Sequence, residues 1–279
     1  MITLEDIHAG LAGSHEFAID IVDECASTNA LLLERAEAGA SGGSVVVARR
    51  QTAGRGRLGR QWISAPGDSL TFSLLWRFAP GTVPLGLSLA VGVAVARAVA
   101  KVGADAATKQ QGGRAKDARI KVANDGTAST TTPKLKWPND VLLGGRKLAG
   151  VLIELMPGEP NAAVIGIGVN LRLPEVMPDE VRALAAAMPV PVNGGQFLGA
   201  LLLELNHVCQ QFAAGGFAAV RDDWLALHAY QDCEISVLSD AAPTLHGRCR
   251  GVDQAGGLLL EADGQLRTIM AGDVSVRLP

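Results

Sequence analysis

Runs of alternating or β-branched residues recur through the first 170 positions. The alternation over 17–24 predicts a strand, and the β-branched run over 44–49 predicts a central strand. The polar triplet at 27–29 offers capping side chains to a helix that ends near Gly39. Further apolar runs predict strands over 70–78, 148–155 and 163–171. This part of the chain therefore mixes strands with helices.

The pattern changes in the C-terminal third of the chain. Apolar residues at helical spacing over 195–212 predict an amphipathic helix, and a second helix is expected over about 218–230. From residue 233 onward, short β-rich segments alternate with glycine and aspartate turns, which is typical of a small β-barrel-like module. We therefore expect one domain over 1–230 and a C-terminal β-module over 231–279.

One long segment interrupts this order. The stretch over 84–102 is rich in small apolar residues and predicts a buried helix. Residues 104–133 then contain only Ile120 and Val122 as large apolar side chains. That composition predicts a solvated, mobile insertion within the first domain.

Composition and charge exclude several classes of protein. The 279 residues are 48% hydrophobic, enough apolar material for a sizeable core. The formal net charge of −3 argues against general nucleic-acid binding, which needs clustered cationic surface. Together with the short region before residue 27, it leads us to expect no DNA partner.

The chain also lacks the patterns of secreted and membrane proteins. Its four cysteines are scattered without a Cys-x-x-Cys pair, which favours a reducing compartment over disulfide or zinc sites. The N-terminus carries acidic residues early and does not resemble a signal peptide. The uncharged stretch over 78–96 is broken by Pro80 and Pro84, so a loop leading into a buried helix is favoured over a membrane span. We expect a cytoplasmic protein.

The strongest chemical signal is the glycine loop, residues 54–62, with the sequence GRGRLGRQW. Its glycines satisfy G-x-G-x-x-G, but a dinucleotide-binding fold needs a helix directly afterwards, and here a Pro-Gly turn and a strand follow. Glycines let backbone N–H groups approach an anion, and arginine forks bind carboxylate or phosphate oxygens. The alternative is a solvated basic turn.

Further segments join the glycine loop in one recognisable order. KWPNDV at 136–141 is followed by GRKLAG at 145–150, GIGVN at 166–170, and the C-terminal segments 251–261 and 272–277. In this combination the chain resembles biotin protein ligases. The resemblance covers about 17–279 apart from the insertion, and the first two motifs together are highly specific.

The resemblance implies a fold and an activity. The fold is α+β: a mixed sheet with helices of the kind found in class II aminoacyl-tRNA synthetases, followed by a small SH3-like β-module. The activity is ATP-dependent activation of biotin to biotinyl-5'-AMP and its transfer to a lysine of a biotin carboxyl carrier protein. Only 26 residues precede Ser27, so the form of the family without a DNA-binding domain is expected. A homodimer is compatible with this assignment.

The resemblance also assigns roles to single residues. Lys147, Arg55 and Arg57 are expected to be catalytic, and Asp140 to position Mg²⁺. The residues expected beside biotin are Ser27, Thr28, Asn29, Gln51, Arg55, Gly56, Arg57 and Lys147. Those expected beside ATP are Arg57, Arg60, Trp62, Asn139, Asp140, Lys147, Asn170 and Arg277.

Taken singly, these residues have simpler interpretations. Ser27 suits a helix cap, Asn139 and Asp140 suit a turn, and Gly166 with Gly168 suits close strand packing. The rival functions are a lipoate or octanoate ligase-type acyl transferase and a non-catalytic biotin sensor. The glycine loop favours biotin, and the intact arginines and Lys147 favour an enzyme.

Overall fold

The computed structural model describes residues 2–14, 16–112, 132–239, 243–272 and 274–279. The helices are α1 (Leu4–Gly10), α2 (Thr28–Glu37), α3 (Leu87–Gly112), α4 (Asp179–Leu184), α5 (Gly194–Gly215) and α6 (Arg221–Leu227). The strands are β1 (Ala18–Cys25), β2 (Ser44–Gln51), β3 (Ser69–Arg77), β4 (Lys134–Lys136), β5 (Asp140–Leu143), β6 (Arg146–Met156), β7 (Glu159–Asn170), β8 (Glu234–Ser239), β9 (Leu245–Val252), β10 (Leu258–Ala262), β11 (Gln265–Ile269) and β12 (Val274–Arg277).

The first seven strands form a mixed sheet in the order β1-β2-β3-β7-β6-β5-β4. β1 and β2 are parallel, with α2 as the crossover, and the other neighbours are antiparallel. β3 and β7 form the buried centre, where Ser73 pairs with Gly166 and Thr71 with Gly168. The sheet with its helices confirms the predicted α+β class.

Helices cover both faces of this sheet unequally. α3 and α5 pack against each other on the face that carries the large core, which includes Phe72, Val91 and Leu201. α2 covers part of the opposite face through a small cluster that contains Leu32, Leu75 and further apolar residues. The part of this second face that α2 leaves open is available for a binding site.

The last five strands form an antiparallel sheet in the order β11-β10-β9-β8-β12, which agrees with the expected SH3-like module. It contacts the first domain through hydrogen bonds: the buried indole Nε1 of Trp137 donates to the Gly256 carbonyl at 3.0 Å, and the half-buried Arg221 donates through Nε to the Val252 carbonyl at 2.9 Å. The domain boundary near residue 230 stays a prediction.

Two predicted helix boundaries were wrong. α3 continues to Gly112, beyond the predicted end of the helix at residue 102, since alanine and long unbranched residues have high helix propensity. The insertion over 104–133 stays a prediction. Its part beyond Gly112 lies mostly outside the described residues. The helix expected over 218–230 is a 3₁₀ turn (Phe217–Val220) followed by the short α6.

Four short elements of the described chain were not predicted from the sequence. α1 has one buried residue, Ile7, and depends on α5, against which Gly10 and Gly199 allow close backbone contact. The β4–β5 hairpin and α4 are each too short for a periodic signal.

One described helix, α3, is long and apolar enough over Leu87–Asp105 to cross a membrane by composition alone. Most of that stretch is buried inside the protein, as in the core helix of a globular domain. This agrees with the predicted loop and buried helix.

Candidate active site

Two adjoining cavities lie on the sheet face that α2 leaves open. The inner cavity, of about 50 Å³, is bounded by the start of α2, the end of β2, the glycine loop and the middle of β6 and β7. The outer cavity, of about 390 Å³, lies between the glycine loop, the β4–β5 turn, α4 and β12. The residues that line both are Gly56, Arg57, Trp62, Asn139 and Lys147.

The structure brings nearly all of the predicted site residues to these cavities. All eight residues expected beside biotin line the inner cavity. Of the eight expected beside ATP, seven line the outer cavity. Arg277 does not line it, although the preceding residues 274–276 of β12 do.

A hydrogen-bond network forms the wall of the inner cavity. The backbone N–H of Thr28 donates to Gln51 Oε1 at 2.7 Å. The Ser73 hydroxyl lies 2.8 Å from the Thr28 hydroxyl and donates to Asn29 Oδ1 at 2.6 Å. Ser27 occupies the N-cap position of α2, but its hydroxyl makes no capping bond to the described first turn, so the simple cap interpretation does not account for it. These buried polar groups are held in fixed orientations before any ligand arrives.

Two glycines of β7 form the floor beneath the site side chains. A Cβ at Gly166 would lie 2.2 Å from Asn29 Oδ1, and one at Gly168 would lie 2.4 Å from Cε2 of Trp62. Contacts this short are sterically impossible, so the two glycines leave room for Asn29 and Trp62 as well as for neighbouring strands. Trp62 Nε1 is buried with no hydrogen-bond partner among the described residues.

The glycine loop is attached to both parts of the molecule. It connects the antiparallel strands β2 and β3, which confirms that it does not belong to a dinucleotide-binding fold. Arg55 Nη2 donates to both carboxylate oxygens of Glu154, at 3.2 and 3.3 Å. Arg57 donates to the backbone carbonyls of Gly272 and Val274 in the C-terminal module. The loop is therefore anchored to β6 on one side and to the start of β12 on the other.

An ion-pair cluster lies at the boundary between the two cavities. Lys147 Nζ is 2.6 Å from Asp140 Oδ1, and Lys136 Nζ is 3.8 Å from Oδ2 of the same carboxylate. Lys147 Nζ also lies 5.6 Å from the centroid of the Trp62 ring, within the range of a cation–π contact. Asn139 holds the turn in place, because its Nδ2 donates to the Val151 carbonyl at 2.7 Å.

The outer cavity has a cationic edge and an apolar side. Burial lowers the pKa of Lys136, an effect opposed by Asp140 and increased by Lys147, Arg60 and Arg277. These cations favour a polyanionic ligand, whose charge would relieve their repulsion. The apolar side is formed by α4, where Val181 and Leu184 are exposed, and it offers a surface for a flat ring.

Asn170 is tied to the protein backbone. Its Nδ2 donates to the Ala186 carbonyl at 2.9 Å and to the Lys147 carbonyl at 3.3 Å. Both amide protons are therefore used to hold the segment after α4 against β6. Its Oδ1 is left as the group with which it could contact a ligand in the outer cavity.

Asp140 is the only carboxylate of the ion-pair cluster, and the described residues contain no group of three or more His, Cys, Asp or Glu that could hold a metal. Mg²⁺ commonly uses one or two carboxylates together with substrate phosphates. The site therefore fits a magnesium ion that arrives with a nucleotide rather than one held by the protein alone.

Two known protein families match the parts of the chain that form these cavities. Residues 23–170 match the biotin/lipoate A/B protein ligase family, and residues 234–277 match the biotin protein ligase C-terminal domain. The chain belongs to the biotin protein ligase family. Its matched regions contain the glycine loop, the ion-pair cluster, both glycines of the floor and all five strands of the C-terminal sheet.

Individual members of the family resemble this chain along most of its length. The bifunctional ligase/repressor BirA of Salmonella typhimurium is 30% identical over 99% of this chain and 79% of its own length. The biotin--[acetyl-CoA-carboxylase] ligase of Mycobacterium tuberculosis is 33% identical over 94% of this chain and 90% of its own. The biotin protein ligase of Aquifex aeolicus, solved in complex with biotin and ATP, is 26% identical, with a TM-score of 0.74 over 94% of this chain and 99% of that one.

Three residues that contact the candidate site of this protein were not identified as site residues from the sequence. Ser73 lies in an apolar strand, Glu154 at the end of another, and Lys136 was read only as part of a motif. Strand periodicity could have placed Ser73 and Glu154 on one face of the sheet, but it could not show that α2 leaves that face open.

Proposed function

We propose that this protein is an ATP-dependent biotin ligase that forms biotinyl-5'-AMP and transfers biotin to a lysine of a biotin carboxyl carrier protein. The observation that carries the proposal is the position of Lys147 at the boundary between two cavities, one lined by fixed polar groups and the other by cations. The family relatives support the same activity: two of them are named biotin--[acetyl-CoA-carboxylase] ligase, and the Aquifex aeolicus structure holds biotin and ATP.

The inner cavity suits a small ligand with a neutral polar head. The ureido ring of biotin offers two N–H donors and a carbonyl acceptor. Ser27 and Thr28 supply hydroxyl oxygens, the Gln51 amide retains its N–H donors, and Arg55 retains guanidinium donors beyond those used on Glu154. These residues are proposed to hold the ring system, with Asn29 fixing the wall behind it.

The first reaction takes place where the cavities meet. A biotin carboxylate oxygen attacks the α-phosphorus of ATP, a P–O bond forms, and the bond to pyrophosphate breaks. The carboxylate is already ionised, so the difficulty is bringing two anions together rather than removing a proton. Lys147 and Arg57 neutralise that repulsion, and both are at the boundary before ligands bind.

The outer cavity is proposed to hold the nucleotide. Arg60 and Lys136 face the phosphates, Trp62 lies beside the reacting groups, and the apolar side of α4 receives the adenine. Asn139, Asn170 and Arg277 are proposed to support this side from the β4–β5 turn, β7 and β12. Asp140 is proposed to hold Mg²⁺ together with phosphate oxygens, and the ion would supply further neutralisation of phosphate charge.

The second reaction releases the product. The neutral amine of the acceptor lysine attacks the acyl carbon of the anhydride, AMP leaves, and the amine loses a proton as the amide forms. The glycine loop, anchored by Arg55 and Arg57, is proposed to shield the anhydride from water until the acceptor arrives.

Biotin-dependent exchange of labelled pyrophosphate into ATP tests the first reaction. Transfer of biotin to a purified carrier domain, detected with streptavidin, tests the second. Exchange supported by lipoate or octanoate and not by biotin would favour the rival acyl transferase. Biotin binding without exchange would favour a sensor.

Two further expectations concern partners. A homodimer is tested by sedimentation with and without biotin and ATP. The absence of specific DNA binding, expected from the negative net charge, is tested by a gel shift: sequence-selective binding that survives physiological salt would contradict it.

A further inference from the structure

Glu154 is an acidic side chain that touches the arginine of the inner cavity. It lies on β6 with 27% of its side chain exposed, and its two oxygens accept from Arg55 Nη2 at 3.2 and 3.3 Å. Arg55 itself sits on the glycine loop with 49% of its side chain exposed. A long side chain on such a loop has many conformations available unless a partner restricts it.

Asn29 also holds this carboxylate. Its Nδ2 donates to Glu154 Oε2 at 2.7 Å and more weakly to the Leu152 carbonyl at 3.3 Å. Because Asn29 Oδ1 accepts from Ser73 at 2.6 Å, the orientation of the amide is determined by the network. Asn29 is 2% exposed, so Glu154 is held by a buried group that has little freedom to move.

We propose that Glu154 is a positioning residue that holds the Arg55 guanidinium in the inner cavity for biotin. The inference rests on the proposed function. The carboxylate engages Nη2, and the Nε and Nη1 groups of Arg55 retain donors for the ligand. The chain of contacts runs from the buried Ser73 through Asn29 and Glu154 to the exposed loop, so the rigidity of the sheet is transmitted to Arg55.

The substitution Glu154→Gln tests this role with little change in shape. Its amide oxygen can still accept from Asn29, but its NH₂ group faces Arg55 donor to donor and the charge is lost. We expect the KM for biotin in pyrophosphate exchange to rise about tenfold, the scale of losing a charge-assisted hydrogen bond, with kcat and the KM for ATP within about twofold of the parent.

A double-mutant cycle with Arg55→Ala separates positioning from general support of the fold. If Glu154 acts through Arg55, Glu154→Gln adds less than about twofold to the KM for biotin once Arg55 is absent. Full multiplication of the two effects would overturn the proposal. Glu159→Gln is the matched control, because Glu159 pairs with Arg77 at an exposed position outside both cavities, and it should leave the KM for biotin unchanged.

The failure of the positioning role can be distinguished from the failure of the proposed ligase activity. If the parent protein shows no biotin-dependent exchange, the proposed function fails. If the parent is active and Glu154→Gln keeps its KM for biotin, the positioning role alone fails. Should the glutamine variant not fold, Glu154→Asp replaces it, since it keeps the charge but withdraws it from Arg55; a parental KM for biotin there would equally overturn the inference.

Discussion

The inner and outer cavities differ in how they are organised. In the inner cavity, Thr28, Asn29 and Gln51 are joined by hydrogen bonds over a glycine floor, and little free space remains. In the outer cavity, partly exposed cations and apolar side chains surround about 390 Å³. The neutral head of a ligand must be recognised by fixed dipoles, whereas a polyanion is attracted by the summed charge of several cations. Recognition in the inner cavity therefore depends on hydrogen-bond geometry, and recognition in the outer cavity depends on net charge.

Lys147 belongs to both cavities, and its loss should have the largest effect. Lys147→Ala should reduce pyrophosphate exchange by about 10²–10³-fold, the scale of losing one preorganised electrostatic group. Lys147→Arg should restore activity only in part, because a planar fork does not replace a compact ammonium. The melting temperature should barely change, since the side chain is 37% exposed. Exposed Lys101 on α3 provides the control, and near-normal exchange in the alanine variant would refute the assignment.

Gly166→Ala tests whether the inner cavity depends on its floor. The added methyl would lie 2.2 Å from the buried Asn29 amide, which hydrogen bonds with Ser73 and Glu154 hold in place. We expect a loss of about 2 kcal/mol in unfolding free energy, and a rise of the KM for biotin of about 30-fold if the strain falls on the ligand contacts. Gly103→Ala, where a Cβ meets open space, is the control. Unchanged stability and biotin KM in Gly166→Ala would contradict a rigid inner site.

Arg57→Ala tests the attachment of the loop that joins the two cavities. Arg57 donates to two carbonyls of the C-terminal module, so its removal should free the loop without unfolding either sheet. We expect biotinyl-5'-AMP to escape about tenfold faster and to label lysines of unrelated proteins, measured by streptavidin blotting of a protein mixture. Labelling confined to the carrier domain would count against the loop as a cover.

Lys136→Met should have the smallest effect on activity of the four substitutions. It measures how much the charge of Lys136 contributes to ATP binding in the outer cavity. Burial lowers the pKa of Lys136 in the folded protein below its ordinary value of 10.5. At lower pH the buried ammonium therefore destabilises the fold, and this penalty is relieved as the pH rises through the lowered pKa. ATP binding should weaken over the same rise in pH, because the ammonium that faces the phosphates is lost. We expect the methionine variant to be no less stable, to raise the KM for ATP about fivefold near neutral pH, and to lose that alkaline weakening.

Some residues of the two cavities could be identified from the sequence alone, and others could not. The glycine loop and the KWPND segment carry their residue types in unbroken runs, so the candidate ligands could be named from local sequence. Glu154 and Ser73 are separated by about 80 positions and carry no motif, and only strand pairing brings them to one side chain, Asn29.

The sequence determined the longer strands and helices and, through the family resemblance, the α+β class and the charged and polar candidate ligands of both cavities, because periodicity and short motifs are properties of neighbouring positions. The tertiary structure decided which face of the sheet stays open and what lies beneath each ligand. Pairing across β3, β7 and β6 places Ser73, Gly166 and Leu152 in one row below Asn29, and Thr71, Gly168 and Gly150 in the next row below Trp62. Such rows depend on the register between distant strands, which is fixed only when the whole sheet buries its other face against α3 and α5.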